Sequence, residues 1–370
     1  MILDEVDPES RAILEQHGFE APVVERLRSA LRDGSLAERG NVVRGAVEPP
    51  RPSDLTQLPA PGEPGLEEAL AAGTEALRDG TIAMVVLAGG MATRFGGGVK
   101  AVAEAVDGRS FLDIKLRETE RLGRNLGVEI PVALMTSFAT DAVVREHVSE
   151  RGLGRPLWFC QSAAPRLRPD GSVFVGADGK ASLYGPGHGD VLFALRTSGT
   201  LAELERRGVR SIVVSNVDNL GARLDPVVVG MHVLAGTPLT VEVVAKGNDT
   251  GGAPARVDGR PQLLEAMRFP HGFDQSRIPV FNTNTSLIGV EALSGSVDLT
   301  WLVVEKSVED QRVVQFERLY HELSAWVPTT FLVVPRHGAT SRFLPVKEPA
   351  DLAGVQPLLR KMLASPPAGL

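Results

Sequence analysis

Two rhythms of apolar and polar positions run through the chain, and their alternation predicts its architecture. Residues 82–88, IAMVVLA, form an unbroken apolar run that stops at Gly89-Gly90. A strand covered on both faces reads this way, whereas a strand with one wet face alternates. Shorter runs stand at 131–136 (PVALMT), 157–159 and 211–215 (SIVVS). Between them, 111–122, 140–150 and 190–207 carry apolar residues at helical spacing. Strand and helix in alternation predict an α/β fold: a doubly wound, Rossmann-like, mostly parallel sheet with helices on both faces. The pieces TVEVVAK and VFNTNTSLIGV within 238–290 read as strands of a mixed sheet added to the first.

Nearer the N-terminus, Ile13, Leu14, Val24, Leu27 and Leu31 predict two short amphipathic helices broken near Gly18 and Pro22. Six prolines between 44 and 64 predict an extended linker across the surface, followed by a helix over 66–78. The expected organisation is 1–80 as helices and linker packed on a main domain, 81–352 as that domain, and 353–370 as a short helix and tail.

Composition narrows the function classes. With 43% hydrophobic and 23% charged residues over 370 positions, the chain has the make-up of a soluble globular protein with a large core. A net charge of −7 disfavours a nucleic-acid partner, which needs a basic face. One cysteine, Cys160, excludes a disulfide framework or a Cys-based zinc site within one chain and fits a reducing cytosol. The opening MILDEVDPES lacks the basic and apolar regions of a signal peptide, and no apolar run approaches the ~20 residues of a membrane span. A cytoplasmic protein without a membrane partner is the expectation.

Candidate chemistry clusters after the strands, where ligands of such sheets bind. Behind the first run come Gly89-Gly90, then Thr93-Arg94-Phe95, three more glycines and Lys100. Glycines let backbone N–H groups approach a phosphate, and Arg94 and Lys100 supply cations; a flexible surface turn is the alternative. The loop matches neither G-x-x-x-x-G-K-[ST] nor G-x-G-x-x-G, which disfavours a P-loop ATPase and a dinucleotide-binding dehydrogenase. In SIVVSNVDNLGARLD, Asp218 at a strand tip is placed to hold Mg²⁺ bridging substrate phosphates, with Asn216 and Asn219 able to bond a sugar. A polar turn capping the next helix is the plainer reading. In LYGPGHGDVLFAL, Gly187-His188-Gly189 allows close approach to a base or phosphate, and Asp190 is a candidate N-cap. Gln161 is an amide able to read a base edge, Asn282 and Asn284 share one strand face, and Glu265 and Lys347 are weaker candidates.

These stretches, in this order over about 82–352, resemble the eukaryotic-type UDP-glucose pyrophosphorylase family of sugar nucleotidyltransferases. The resemblance rests on the glycine loop, FCQ (159–161), GPGHGD (185–190), SNVDNLGA (215–222), Gly251-Gly252 with LLE (263–265), FNTN (281–284), VVQFE (313–317) and RFLPVK (342–347). It implies UTP and a sugar 1-phosphate, foremost glucose 1-phosphate, as substrates, Mg²⁺ as cofactor, and a monomer or small homo-oligomer. By the same resemblance Leu87, Ala88, Gly89 and Gly90 contact the nucleotide, and Gln161 with Gly187 reads uracil. Arg94 and Lys100 hold the triphosphate, His188 and Lys347 contact the sugar phosphate, and Asp218 binds the metal. Asn216, Asn219, Gly252, Glu265, Asn282 and Asn284 belong to the sugar side, with Lys246 near phosphate. Another sugar 1-phosphate, or a nucleotide-sugar binding protein without catalysis, are the competing readings. Departures from the family pattern are Ala92 in place of a loop glycine, a loop one residue shorter, Tyr184-Gly185-Pro186 before the histidine, a charged stretch near 305–311, and an expected lack of the C-terminal β-helix.

Overall fold

Along 82–87 every residue is buried, and alternate side chains enter different cores. Ile82, Met84 and Val86 join one hydrophobic cluster and Ala83, Val85 and Leu87 another, as the period of two requires. The computed structural model that shows this describes residues 1–91, 97–295 and 297–365. Ala92 and Arg94 lie outside the described residues.

Eight strands form the central sheet: β1 (Leu55–Gln57), β2 (Ile82–Leu87), β3 (Val132–Thr136), β4 (Leu157–Cys160), β5 (Ser211–Asn216), β6 (Leu239–Ala245), β7 (Val280–Gly289) and β8 (Thr329–Val333). Their spatial order is β1-β8-β6-β7-β5-β2-β3-β4. Every pairing is parallel except the two made by β7. From β2 the chain winds outward through β3 and β4, then returns to the other side of β2 as β5. That reversal is a topological switch point, where the loops after β2 and β5 diverge and leave a crevice.

The helices are α1 (Pro8–Gln16), α2 (Ala21–Arg32), α3 (Leu66–Arg78), α4 (Phe111–Leu126), α5 (Asp141–Arg151), α6 (Val191–Thr197), α7 (Thr200–Arg206), α8 (Pro226–Ala235), α9 (Val290–Ser294) and α10 (Pro349–Ala364). Residues of α3, α4, α5, α8 and α10 share the core of Ile82, and those of α6, α7 and α9 share the core of Ala83. A third core joins Leu14, Val24 and Leu27 to Val303, Val314 and Phe316 of the hairpin 302–317. None of the described helices is long and apolar enough to cross a membrane.

Three expectations change. The single helix over 190–207 is two, because Gly199 at φ 77° breaks the turn between α6 and α7. The proline-rich stretch is more than a linker: Leu55–Gln57 adds an edge strand beside β8, and Val47–Glu48 pairs with Arg256 and Val257. Prolines are compatible with an edge strand, whose outer N–H groups pair with nothing. The region 238–290 splits: β6 and β7 enter the central sheet, while Ala253–Val257 and Arg260–Leu264 form a separate hairpin across Asp258-Gly259.

Candidate active site

Register at the switch point fixes what meets there. Asn216 pairs with Leu87, Leu87 with Met135, and Met135 with Phe159. The residues just past each strand therefore emerge side by side. Leu87, Gly89, Gly90, Gln161, Gly187 and His188 line one cleft of about 280 Å³ together with Lys100, Asn216 and Asp218. A larger hollow, about 340 Å³, lies at the other end of the sheet against Leu116, Arg124, Ile130 and Pro156, away from this convergence of polar groups.

Lys100 and Asp218 are joined by a bond of 2.9 Å from Nζ to Oδ2. The Lys100 backbone N–H donates to the Gly90 carbonyl, so the far end of the loop is tied to its start. Lys100 is almost buried, whereas the Asp218 side chain keeps 27% exposure toward the cleft.

Gln161 is held between two glycines. A Cβ at Gly89 would stand 2.9 Å from its Nε2, and one at Gly185 would stand 2.4 Å from it. Gly187, at φ 82°, lies against the Arg318 carbonyl, where a Cβ would come within 2.6 Å. Asp190 begins α6 without capping it through its side chain. Its carboxylate instead accepts from the Ser162 N–H at 2.6 Å and from Arg318 at 2.7 Å. Tyr184, in a departure position, is fully used: its hydroxyl exchanges hydrogen bonds with both backbone groups of Phe316.

His188 stands with its ring edge-on to Tyr320 and His321. The Tyr320 N–H donates to His188 Nδ1 at 3.4 Å. Burial first, then the neighbouring His321, pushes the His188 imidazole down to about 4, against the pull of Glu265. At neutral pH the ring is therefore uncharged, with Nδ1 accepting and Nε2–H left as a donor.

Beside it, Asn282 donates to the Asn284 side chain at 2.9 Å and accepts from the Asn284 N–H at 3.0 Å. Simple alternation does not produce this. Asn284 is left-handed at φ 58°, within a register shift opposite Val241–Val243 of β6. Asparagine tolerates that conformation better than most residues. Glu265 faces Gly252, where a Cβ would stand 2.7 Å from Oε2. Burial raises the Glu265 carboxyl, and the hydrogen bond and charge of His321 outweigh it, so the net shift is downward.

Other expected residues lie differently. Asn219 is buried and spends its side chain on protein: it donates to Thr285 and the Arg342 carbonyl and accepts from the N–H groups of Gly221 and Leu344. It pins the 216–221 turn to the RFLPVK segment rather than facing the cleft. Lys246 is drawn aside to the Gln275 carbonyl at 2.8 Å. Lys347 is exposed, but Val346 bonds to the Asp218 carbonyl at 3.1 Å, which carries the segment to the rim of the cleft.

Sequence reasoning missed three buried groups under this surface. Lys115 of α4 donates to Ser215 and the Ala222 carbonyl, and burial lowers its ammonium to about 7. Arg342 and Glu242 form a buried bidentate pair, 2.8 Å at Nε, linking RFLPVK to β6. His321 lies between Glu265 and Asn282. A lone charge inside an otherwise apolar helical stripe was the available signal for Lys115; nothing in the sequence announced His321.

A glycine loop and a strand-tip aspartate at the switch point of a mostly parallel sheet define an α/β protein of the nucleotidyltransferase type. The comparisons carry this further. A family model described as UTP–glucose-1-phosphate uridylyltransferase matches residues 41–362. The chain is 32% identical over 294 residues to a UTP–glucose-1-phosphate uridylyltransferase of Hordeum vulgare, covering 74% of this chain and 61% of that one. To that of Saccharomyces cerevisiae it is 31% identical over 299 residues, covering 73% and 58%. The solved UDP-glucose phosphorylase of Trypanosoma brucei superposes with a TM-score of 0.73 at 25% identity, over 95% of this chain and 77% of that one. The chain thus spans about three-fifths of the length of the curated relatives it matches. It belongs to the UTP–glucose-1-phosphate uridylyltransferase family.

Proposed function

We propose that the chain is a Mg²⁺-dependent uridylyltransferase that converts UTP and glucose 1-phosphate into UDP-glucose and pyrophosphate. One observation carries the reading: Lys100 and Asp218, 118 positions apart, meet at 2.9 Å beside the glycine loop at the switch point. Family membership and relatives of the same name support it.

In this reaction an oxygen of the sugar phosphate bonds to the α-phosphorus of UTP. The bond from that phosphorus to the oxygen bridging it to the β-phosphorus breaks, and pyrophosphate departs. A phosphate monoester, with a second pKa of about 6, is already ionised at neutral pH, so no general base is needed. Catalysis then rests on alignment and charge neutralisation.

The Gly89-Gly90 backbone accepts the nucleotide closely, and Gln161 reads the uracil edge beside Gly187. Lys100, with Arg94, neutralises the departing phosphates, and Lys347 at the rim serves the sugar phosphate. Neutral His188 offers a hydrogen-bond donor without adding charge. Asn216 borders the cleft next to Asp218, and Gly252, Glu265, Asn282 and Asn284 form the sugar side. Asp218 suits Mg²⁺, because a single partly exposed carboxylate is the usual protein share of a magnesium site completed by phosphates. When bound, that ion offsets phosphate charge. Asn219 and Lys246 act from behind, through the contacts described above.

The test is pyrophosphate release by the full chain from UTP with a panel of sugar 1-phosphates. Release with glucose 1-phosphate, abolished by a chelator and restored by Mg²⁺, is expected. No release with any sugar phosphate would overturn the reading.

A further inference from the structure

The groups on the sugar side are held by a residue that the reading above does not use. His321 is fully buried in the turn Tyr320–Ala325, and Ser324 anchors it by donating to its carbonyl at 2.7 Å. Its Nδ1 lies 3.2 Å from Glu265 Oε1, and its Nε2 lies 3.5 Å from Asn282 Nδ2. Nδ1–H donates to the carboxylate, and the Asn282 amide nitrogen lies against the ring, 3.3 Å from Nδ1 and 3.5 Å from Nε2. Asn282 is in turn locked to Asn284, whose carbonyl accepts from the Tyr320 hydroxyl at 3.3 Å. The imidazole packs on Tyr320 at 3.9 Å between ring centres and meets the His188 ring at 5.4 Å.

Polar atoms of His188, Glu265 and His321 all lie within 4.8 Å of one another. His321 turns Nδ1 to Glu265, and the lone pair of His188 Nδ1 is taken by the Tyr320 N–H. The pattern left over suits a hydroxyl. Among the described residues, Glu265 keeps Oε2 as an acceptor beside Gly252, which has no side chain to cover it, and His188 keeps a donor at Nε2. One hydroxyl oxygen at about 2.8 Å from each partner spans such a gap. It would donate to the carboxylate and accept from the imidazole.

We infer that His321 is the positioning residue that sets sugar specificity. It fixes Glu265 and Asn282 in orientation and fills the space beside them, so that the site takes a compact hexose 1-phosphate with a free hydroxyl there over one bearing an acetamido group. This rests on the uridylyltransferase reading. Truncating His321 leaves buried polar partners unsatisfied and opens ring-sized space, so hydrogen-bond discrimination and steric exclusion both weaken.

Steady-state kinetics of the full chain with UTP and either glucose 1-phosphate or N-acetylglucosamine 1-phosphate test it, for wild type, His321→Ala and His321→Gln. In His321→Ala, KM for glucose 1-phosphate should rise roughly tenfold while KM for UTP stays within about twofold. The preference for glucose over N-acetylglucosamine 1-phosphate should shrink by about tenfold or more. His321→Gln, which retains a donor and an acceptor, should recover most of both effects and keeps the test open if the alanine variant does not fold. An unchanged sugar preference in a folded, active variant overturns the role of His321 alone, as does an equal rise in both KM values. A wild type that turns over neither sugar overturns the uridylyltransferase reading, and the specificity claim falls with it.

Discussion

Gln161 shows how single residues are set by what is missing around them. Its amide occupies space that a methyl at Gly89 or Gly185 would take. Gly185→Ala should therefore displace Gln161. On the proposed reading, KM for UTP rises about tenfold while KM for the sugar phosphate moves little, as expected when one hydrogen-bonded base contact is lost. Equal effects on both substrates, measured by initial rates, would contradict the placement. At this scale the sequence was only partly readable. Gln161, Lys100 and Asp218 converge because each directly follows a strand or loop whose position the pattern defines. Asn219 sits in the same turn, yet its side chain is turned inward by partners near 342–344, which local sequence does not display. Asn282 and Asn284 meet through a left-handed residue in a register shift, and His321 arrives from a turn 39 positions beyond Asn282.

Among the elements, α3 and α8 approach more closely than ordinary side chains permit. A Cβ at Gly230 would stand 1.7 Å from the Ala69 carbonyl oxygen, and one at Gly73 would stand 1.8 Å from that of Pro226. Both obstacles are backbone, so neither can swing away. Gly230→Ala should cost about 3 kcal/mol of stability, the upper range of overpacking. It should leave KM values unchanged below the melting transition, since α8 lies away from the cleft. Urea denaturation reads the first effect and kinetics the second; an unaltered midpoint would refute the contact. The helices themselves were legible from spacing and stop signals. Their packing was not, because glycine in a helix reads as a weakness until the facing helix is known. The same holds for β1: a three-residue edge strand within prolines has too little pattern to be seen.

For the molecule as a whole, the mostly parallel sheet was evident because strands covered on both faces are apolar throughout, as 82–87 is. The antiparallel sense of β7 was not, since direction is a property of connections. Acid sensitivity also emerges at this level. Burial lowers both His188 and His232 from 6.5 to about 4, and His232 sits between Thr240 and Ser211. The unfolded chain takes up protons below pH 6.5 that the folded chain refuses until about pH 4. Stability from these groups is thus present above 6.5 and is lost as pH falls toward 4. At pH 5 a buried histidine of this kind costs roughly 2 kcal/mol. Urea midpoints at pH 7.5 and 5 should show the loss, and His232→Gln should show a smaller one. Equal acid sensitivity in that variant would refute the assignment.

On the proposed reading, uridylyl transfer in the cleft at the switch point depends on Lys100 and Asp218. Its most direct test is pyrophosphate release from UTP and glucose 1-phosphate by wild type, Asp218→Asn and Lys100→Met, with thermal melting of each. Both variants should lose at least about a hundredfold in turnover, the scale of removing one electrostatic stabiliser, with melting temperatures near that of wild type. Turnover within a few-fold of wild type in either folded variant would contradict it.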